Sequence, residues 1–313
     1  MITFVGMSNR SSGEIRGKQI SQALEAQYID VSILGTEPHR ILEHVVMVRT
    51  HRGENVVKRL QEIGCKVGYD ILDTPGSDFL FYGKLPEDMS YLHGDIFDFY
   101  IVNNTATKDI VQTATNKPCF VIPHHSINFD HTRSCYGNEI KRIGYLGLID
   151  QIDNLEELKE ICREIGVELV VDNHNTIEGC TKFLKSLDAG LVFLNEDCDE
   201  KETIDFVVGG KTRTVNKKKR SENLMRFKPN TKLTNFQSFG IPTICAEYES
   251  FKEFGGENYI PIKNLDEFRL ALKTLVDDVE MRKNLSDLSY QHAKSFHIYE
   301  IANLYKQIPR SVK

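Results

Sequence analysis

The chain predicts an α/β protein built from two tandem doubly wound domains. Three observations carry this. Short apolar strands alternate with helical stretches from residue 2 to residue 122. A polar, aperiodic stretch, PHHSINFDHTRSCYGNE at 123–139, then breaks the pattern. The alternation restarts at residue 141 and continues toward the end. Nearly continuous apolar strands belong to parallel sheets that are covered on both faces. Such sheets bind ligands beyond the carboxyl ends of their strands, so two in tandem imply a cleft between them. A length of 313 residues suits two domains. The expected division is 1–130, then 131–297, then a terminal helical stretch at 298–313 that packs back on the first domain.

In the first domain, strands are expected at 2–6, 28–31, 45–48, 66–72, 98–102 and 119–122. Helices are expected at 14–24, 54–63 and 108–115. In the second, strands fall at 141–146, 167–171 and 189–194, with helices at 155–165 and 177–187. Residues 195–227 form a long connection, and long connections in compact domains are usually functional or disordered. Helices at 265–276, 280–294 and 298–307 close the chain.

The segment FKPNTKLTNFQSFGIPTI, 227–244, is the most informative. Pro229 and Asn230 break the preceding chain, and Asn230 or Thr231 can cap a helix. Leu233, Phe236 and Phe239 give that helix an apolar face. Gly240 suits its end, and Ile241-Pro242 leads into a buried strand. The helix start carries Lys228, Thr231, Lys232 and Thr234. Backbone N–H groups, the positive end of the helix dipole and two ammonium groups make an anion site suited to a diphosphate.

Composition narrows the class. The chain is 40% hydrophobic and 27% charged, with no apolar run long enough to span a bilayer. The N-terminal apolar stretch reads as a first strand rather than a leader. Seven scattered cysteines form no CxxC pair and no Cys/His cluster, so neither a disulfide framework nor a zinc site is indicated and a cytoplasmic protein is expected. The net charge of −6 argues against a general nucleic-acid coat. Yet residues 209–232 hold nine Lys/Arg against one acid, Glu222. A basic segment on an acidic body marks contact with something anionic: a substrate, a polymer or a membrane surface.

Several motifs resemble, in order, those of a GT-B glycosyltransferase of the family-4 retaining type. KVGYDILD (66–73) is similar to the family's first-domain strand ending in an aspartate. DFYIVNNTATKDIV (98–111) and CFVIPHHSI (119–127) are similar to later segments of that domain. KRIGYLGLID (141–150) resembles the strand and Gly-rich turn that open the donor domain, and DAGLVFL (188–194) the strand before the donor motif. KxxxKLxNFQSFGIPTI (228–244) resembles the nucleotide-sugar motif itself. The departures are specific. The family's two glutamates, eight positions apart, fall here on Phe227 and Asn235. Its Arg/Lys pair after the Gly-rich turn is replaced by Leu148, Ile149 and Asp150, so Lys228 and Lys232 are left to supply that charge.

The resemblance implies transfer of a sugar from a nucleotide-diphosphate sugar to an acceptor hydroxyl, retaining and without a metal or other cofactor. Positioned cations and a helix dipole can stabilise the leaving diphosphate. Lys232 is assigned that role with Lys228 and Thr231, and Arg226 is a weaker candidate. Asn235 can bind a ribose hydroxyl. In the loop after the first strand, Gly13 and Gly17 let backbone approach a ligand and Arg16 adds charge, as in the family's glycine loop. Asp73, a strand-end acid, is the candidate acceptor-binding residue or base, and His125 a second catalytic candidate. The acceptor can be an anionic polymer, a nucleic acid or a membrane-associated glycan. The competing readings are a catalytically inert GT-B-like binding protein, a DNA-modifying glycosyltransferase that uses the basic segment, and a nucleotide-sugar 2-epimerase.

Overall fold

A computed structural model describes residues 2–7, 13–33, 43–48, 54–71, 96–134, 139–147, 149, 152–174, 176–193, 203–208, 211–216 and 226–312. The chain divides into two compact units, residues 1–124 with 298–313, and residues 125–297.

The first unit holds a six-stranded parallel sheet in the order β2-β1-β3-β4-β5-β6. Its strands are β1 (Ile2–Gly6), β2 (Gln27–Asp30), β3 (His44–Val48), β4 (Lys66–Asp70), β5 (Phe99–Val102) and β6 (Cys119–Val121). β1, β3 and β5 are buried at every position, as strands covered on both faces must be. A π-helical stretch, Gly13–Gln19, runs into α1 (Ile20–Ala23), followed by α2 (Glu54–Glu62) and α3 (Thr105–Ala114). α3 starts earlier than periodicity predicts because the Asn104 side chain caps it, accepting from Thr107 N at 2.8 Å.

The second unit holds a five-stranded parallel sheet, β13-β12-β9-β7-β8. Its strands are β7 (Arg142–Leu146), β8 (Glu168–Asp172), β9 (Ala189–Val192), β12 (Thr243–Ala246) and β13 (Ile260–Ile262). Its helices are α4 (Leu155–Ile165), α5 (Ile177–Lys185), α6 (Thr231–Ser238), α7 (Glu249–Gly255), α8 (Leu265–Asp277) and α9 (Val279–Ala293). α5, α8 and α9 are capped by Thr176, Asn264 and Asp278. α6 is buried from Leu233 to Ser238. It lies close on the sheet because Gly190 has no side chain: a Cβ there would stand 2.7 Å from the Phe236 ring. α10 (Ile298–Tyr305) and α11 (Ile308–Ser311) belong to the first unit.

One sequence expectation is corrected. Residues 195–227 are not a featureless connection. β10 (Thr203–Val208) and β11 (Lys211–Asn216) form an antiparallel hairpin, with Val208 opposite Lys211. The polar stretch 123–139 contains the point at which the chain passes from one unit to the other, and much of its described part is interior. His124, His125, Ser126, Asn128 and Ser134 are buried. Asn128 Nδ2 donates to Thr132 O and to Ser238 O, both at 2.6 Å, and Ser134 N donates to Phe239 O at 3.0 Å. Polarity here serves a hydrogen-bonded irregular segment packed in the second unit. α7 and β13 were not legible as separate elements. Among the described residues no helix is long and apolar enough to cross a membrane.

Candidate nucleotide-sugar site

The second sheet reverses direction at its first strand: β7 lies between β8 and β9. A ligand-binding crevice is expected outside the carboxyl ends of these neighbouring strands. β7 ends at Leu146, and Gly147 continues the ladder by donating its N–H to Asp172 O at 2.8 Å. Gly147 then turns with φ of 153°, in the glycine-favouring region.

Lys232, in the first turn of α6, reaches this turn. Its Nζ donates to the Tyr145 hydroxyl at 2.5 Å and lies 4.0 Å from the centre of that ring. A Cβ on Gly147 would sit 2.8 Å from the same Nζ. The Lys232 side chain thus reaches the turn after β7 from a different element, the first turn of α6. No carboxylate among the described residues pairs with it. Burial, with repulsion from Lys228 added, brings its pKa down to about 7. The nearby Cys245 offers no counter-charge at neutral pH, since burial pushes its thiol well up.

The other expected donor-site residues are placed as follows. Thr231 is the first residue of α6. Asn230 occupies the cap position, but its side chain does not cap: its Nδ2 donates to Thr234 Oγ1 at 2.7 Å. The first N–H groups of a helix have no partner within it. Lys228 is partly buried just before the helix, and its carbonyl accepts from Ser250 Oγ. Arg226 is exposed, over the Phe227 ring and 3.8 Å from Glu249. Asn235 is buried, and its Oδ1 accepts from Ile127 N at 3.1 Å, so that oxygen serves the chain rather than a ribose. Phe227 is wholly buried. Phe227 is thus used for packing and Asn235 for a hydrogen bond within the fold.

The first-unit candidates behave differently. Arg16 is fully buried. Its Nε and one terminal nitrogen bind the Asp70 carboxylate at 3.1 and 3.3 Å, and the other donates to the carbonyls of Ile122 (3.0 Å) and Pro123 (2.8 Å). The Tyr305 hydroxyl also donates to Asp70, at 2.8 Å. Burial, opposed by Arg16, pushes that hydroxyl well above the usual tyrosine range, so it remains a donor. Arg16 therefore corrects the expectation of a ligand-facing charge: its guanidinium is spent on the interior. Gly17 is small because a Cβ would stand 2.6 Å from the Tyr28 ring, and Gly13 because one would meet the Met7 carbonyl. His125 is buried, with Nδ1 2.9 Å from Ser126 O, and leans on Phe129. A carbonyl can only accept, so Nδ1 carries the hydrogen and the ring is held structurally. Asp73 lies outside the described residues.

Sequence reasoning missed Tyr145 and the Asp70–Tyr305 contact. Tyr145 read as an interior strand residue, and nothing in its spacing links it to a lysine 87 positions away.

No protein-family model matches the chain, and no curated protein matches it. Solved structures do. HepE of Anabaena in complex with UDP-glucose superposes with a TM-score of 0.64 at 9% identity, over 99% of both chains. The fold is that of the GT-B glycosyltransferases. Sucrose-phosphate synthase from Thermosynechococcus elongatus gives 0.61 at 10% identity, covering 99% of this chain and 98% of that one. A chain of the GtfA/B complex gives 0.56 at 13% identity, and this chain spans 60% of its length. At such identities the likeness is one of fold.

Proposed function

We propose that the protein is a glycosyltransferase that moves a sugar from a nucleoside-diphosphate sugar to an acceptor hydroxyl. One observation carries the reading: an ammonium that no carboxylate among the described residues pairs with, held over the turn after β7 where the strand order of the second sheet reverses. A group that must neutralise a departing diphosphate needs such a cation, already oriented and away from competing acids. The start of α6 adds its N–H groups and dipole. HepE, which shares the fold, binds UDP-glucose, which supports a uridine donor as the first to test. With an ammonium in this place, transfer proceeds without a divalent metal. A retaining, family-4-like outcome is the companion proposal from the sequence motifs, as is Asp73 in the acceptor or base role. The basic 209–232 segment supports an anionic acceptor.

A second reading, binding without turnover, is favoured by the two packed positions Phe227 and Asn235. Thermal shift with nucleoside diphosphates and nucleotide sugars in EDTA, followed by assay of nucleoside diphosphate release, tests both. Stabilisation that survives EDTA, with release of diphosphate, supports the transferase. Stabilisation without release supports the binding protein. No stabilisation by any nucleotide overturns both.

A further inference from the structure

The proposed donor site contains a feature that diphosphate neutralisation alone does not require. A lysine on a helix start can reach a phosphate as a solvated, flexible ammonium. Lys232 is instead drawn down onto β7, where the Tyr145 hydroxyl and ring hold it from one side and the bare backbone of Gly147 leaves it room. Tyr145 is itself only 2% exposed, so this arm does not swing.

Resting on the donor-site reading, we propose that Tyr145 is a positioning residue that fixes the Lys232 amine over the Gly147 turn, and that the amine takes up a proton as the nucleoside diphosphate binds. Among the described residues, three groups face Lys232. Tyr145 on β7 accepts its hydrogen bond, Lys228 before α6 repels it, and the Cys245 thiol on β12 is neutral. None supplies the negative charge an ammonium seeks, so the empty site holds the amine near its midpoint at neutral pH. A diphosphate supplies that charge, raises the amine's proton affinity, and the proton comes from solvent. The site thereby costs less when empty than a permanently charged one, and it selects ligands by their negative charge.

The test is UDP titration by calorimetry between pH 6 and 9, in two buffers of different ionisation enthalpy. A phosphate's own last proton leaves near pH 6, so a decline above pH 7 belongs to the protein. Wild type should weaken by about tenfold per pH unit above pH 7, with net proton uptake in that range. Lys232→Arg, whose guanidinium stays charged, should give a flat profile. Tyr145→Phe keeps the ring and removes the hydroxyl that stabilises the ammonium. Its pH midpoint should move down, with roughly threefold to tenfold weaker binding at pH 7. A residue that served packing alone would lower thermal stability and leave the midpoint in place. A flat wild-type profile, or a Tyr145→Phe midpoint equal to wild type, overturns the inference while UDP binding stands. Absence of UDP binding at every pH overturns the donor-site reading beneath it.

Discussion

Two cations, one in each unit, contrast a charge answered within the fold with one that we propose meets a ligand. Arg16 and Lys232 both reach into a doubly wound sheet. Arg16 finds the Asp70 carboxylate, two backbone carbonyls and the Tyr305 ring, 5.4 Å from its guanidinium. Its charge is answered within the fold. Lys232 finds a neutral tyrosine, and a second lysine repels it. Its charge is left for something outside the chain to answer. Residue type and sequence position suggested phosphate contact for both, and only the partners distinguish them.

The comparison can be broken most directly at Arg16. Arg16→Met leaves Asp70 buried without its counter-ion and strands the carbonyls of Ile122 and Pro123. It should destabilise the protein by about 3–5 kcal/mol in urea unfolding. A loss below about 1 kcal/mol would show that the pair is not structural. In contrast, Lys232→Ala should leave the fold intact and weaken UDP binding by about 1.5–3 kcal/mol, measured by titration. A glycine next to Arg16 in sequence sharpens the contrast. Gly17→Ala presses a methyl on the Tyr28 ring and should cost about 1–3 kcal/mol of stability, read from urea melts, with UDP affinity in the surviving fold unchanged. The smallest effect is on stability through Lys232 itself. Its folded pKa lies below its unfolded value, so the unfolded chain binds the extra proton between about pH 7 and pH 10.5. The group destabilises the empty protein fully below pH 7, and that penalty fades as pH rises toward 10.5. Lys232→Met should therefore melt about 2–4 °C above wild type at pH 6.5 in the absence of ligand, converging on it at alkaline pH. A variant that melts lower at pH 6.5 would mean that the lysine is answered by a charge within the fold.

Much of this fold was legible because hydrophobic periodicity is local. β1, β3, α4 and α9 lie where apolar runs and helical spacing place them, and the helix after Pro229 begins at Thr231 as its turn residues suggest. The β10–β11 hairpin was missed: alternating residues flank Gly209-Gly210 in the sequence, but the charge that follows drew the reading toward a loop. Lys232 was singled out from a chemical need: the sequence after β7, Gly147 to Asp150, has no Arg or Lys, and the structure places Lys232 at Gly147. What could not be read is contact across the fold. That Tyr145 holds Lys232, that Asn235 serves Ile127 N, and that Asp70 joins Arg16 to Tyr305 are facts of three-dimensional packing between residues far apart in sequence.

The central claim is that Lys232 is the unanswered cation of a nucleoside-diphosphate site. Calorimetric titration of UDP into wild type and Lys232→Ala, in EDTA at pH 6.5, tests it most directly. The account predicts binding by wild type and a loss of about tenfold or more in a variant that remains folded. Equal affinity in the two proteins, or no heat of binding in wild type, would contradict it.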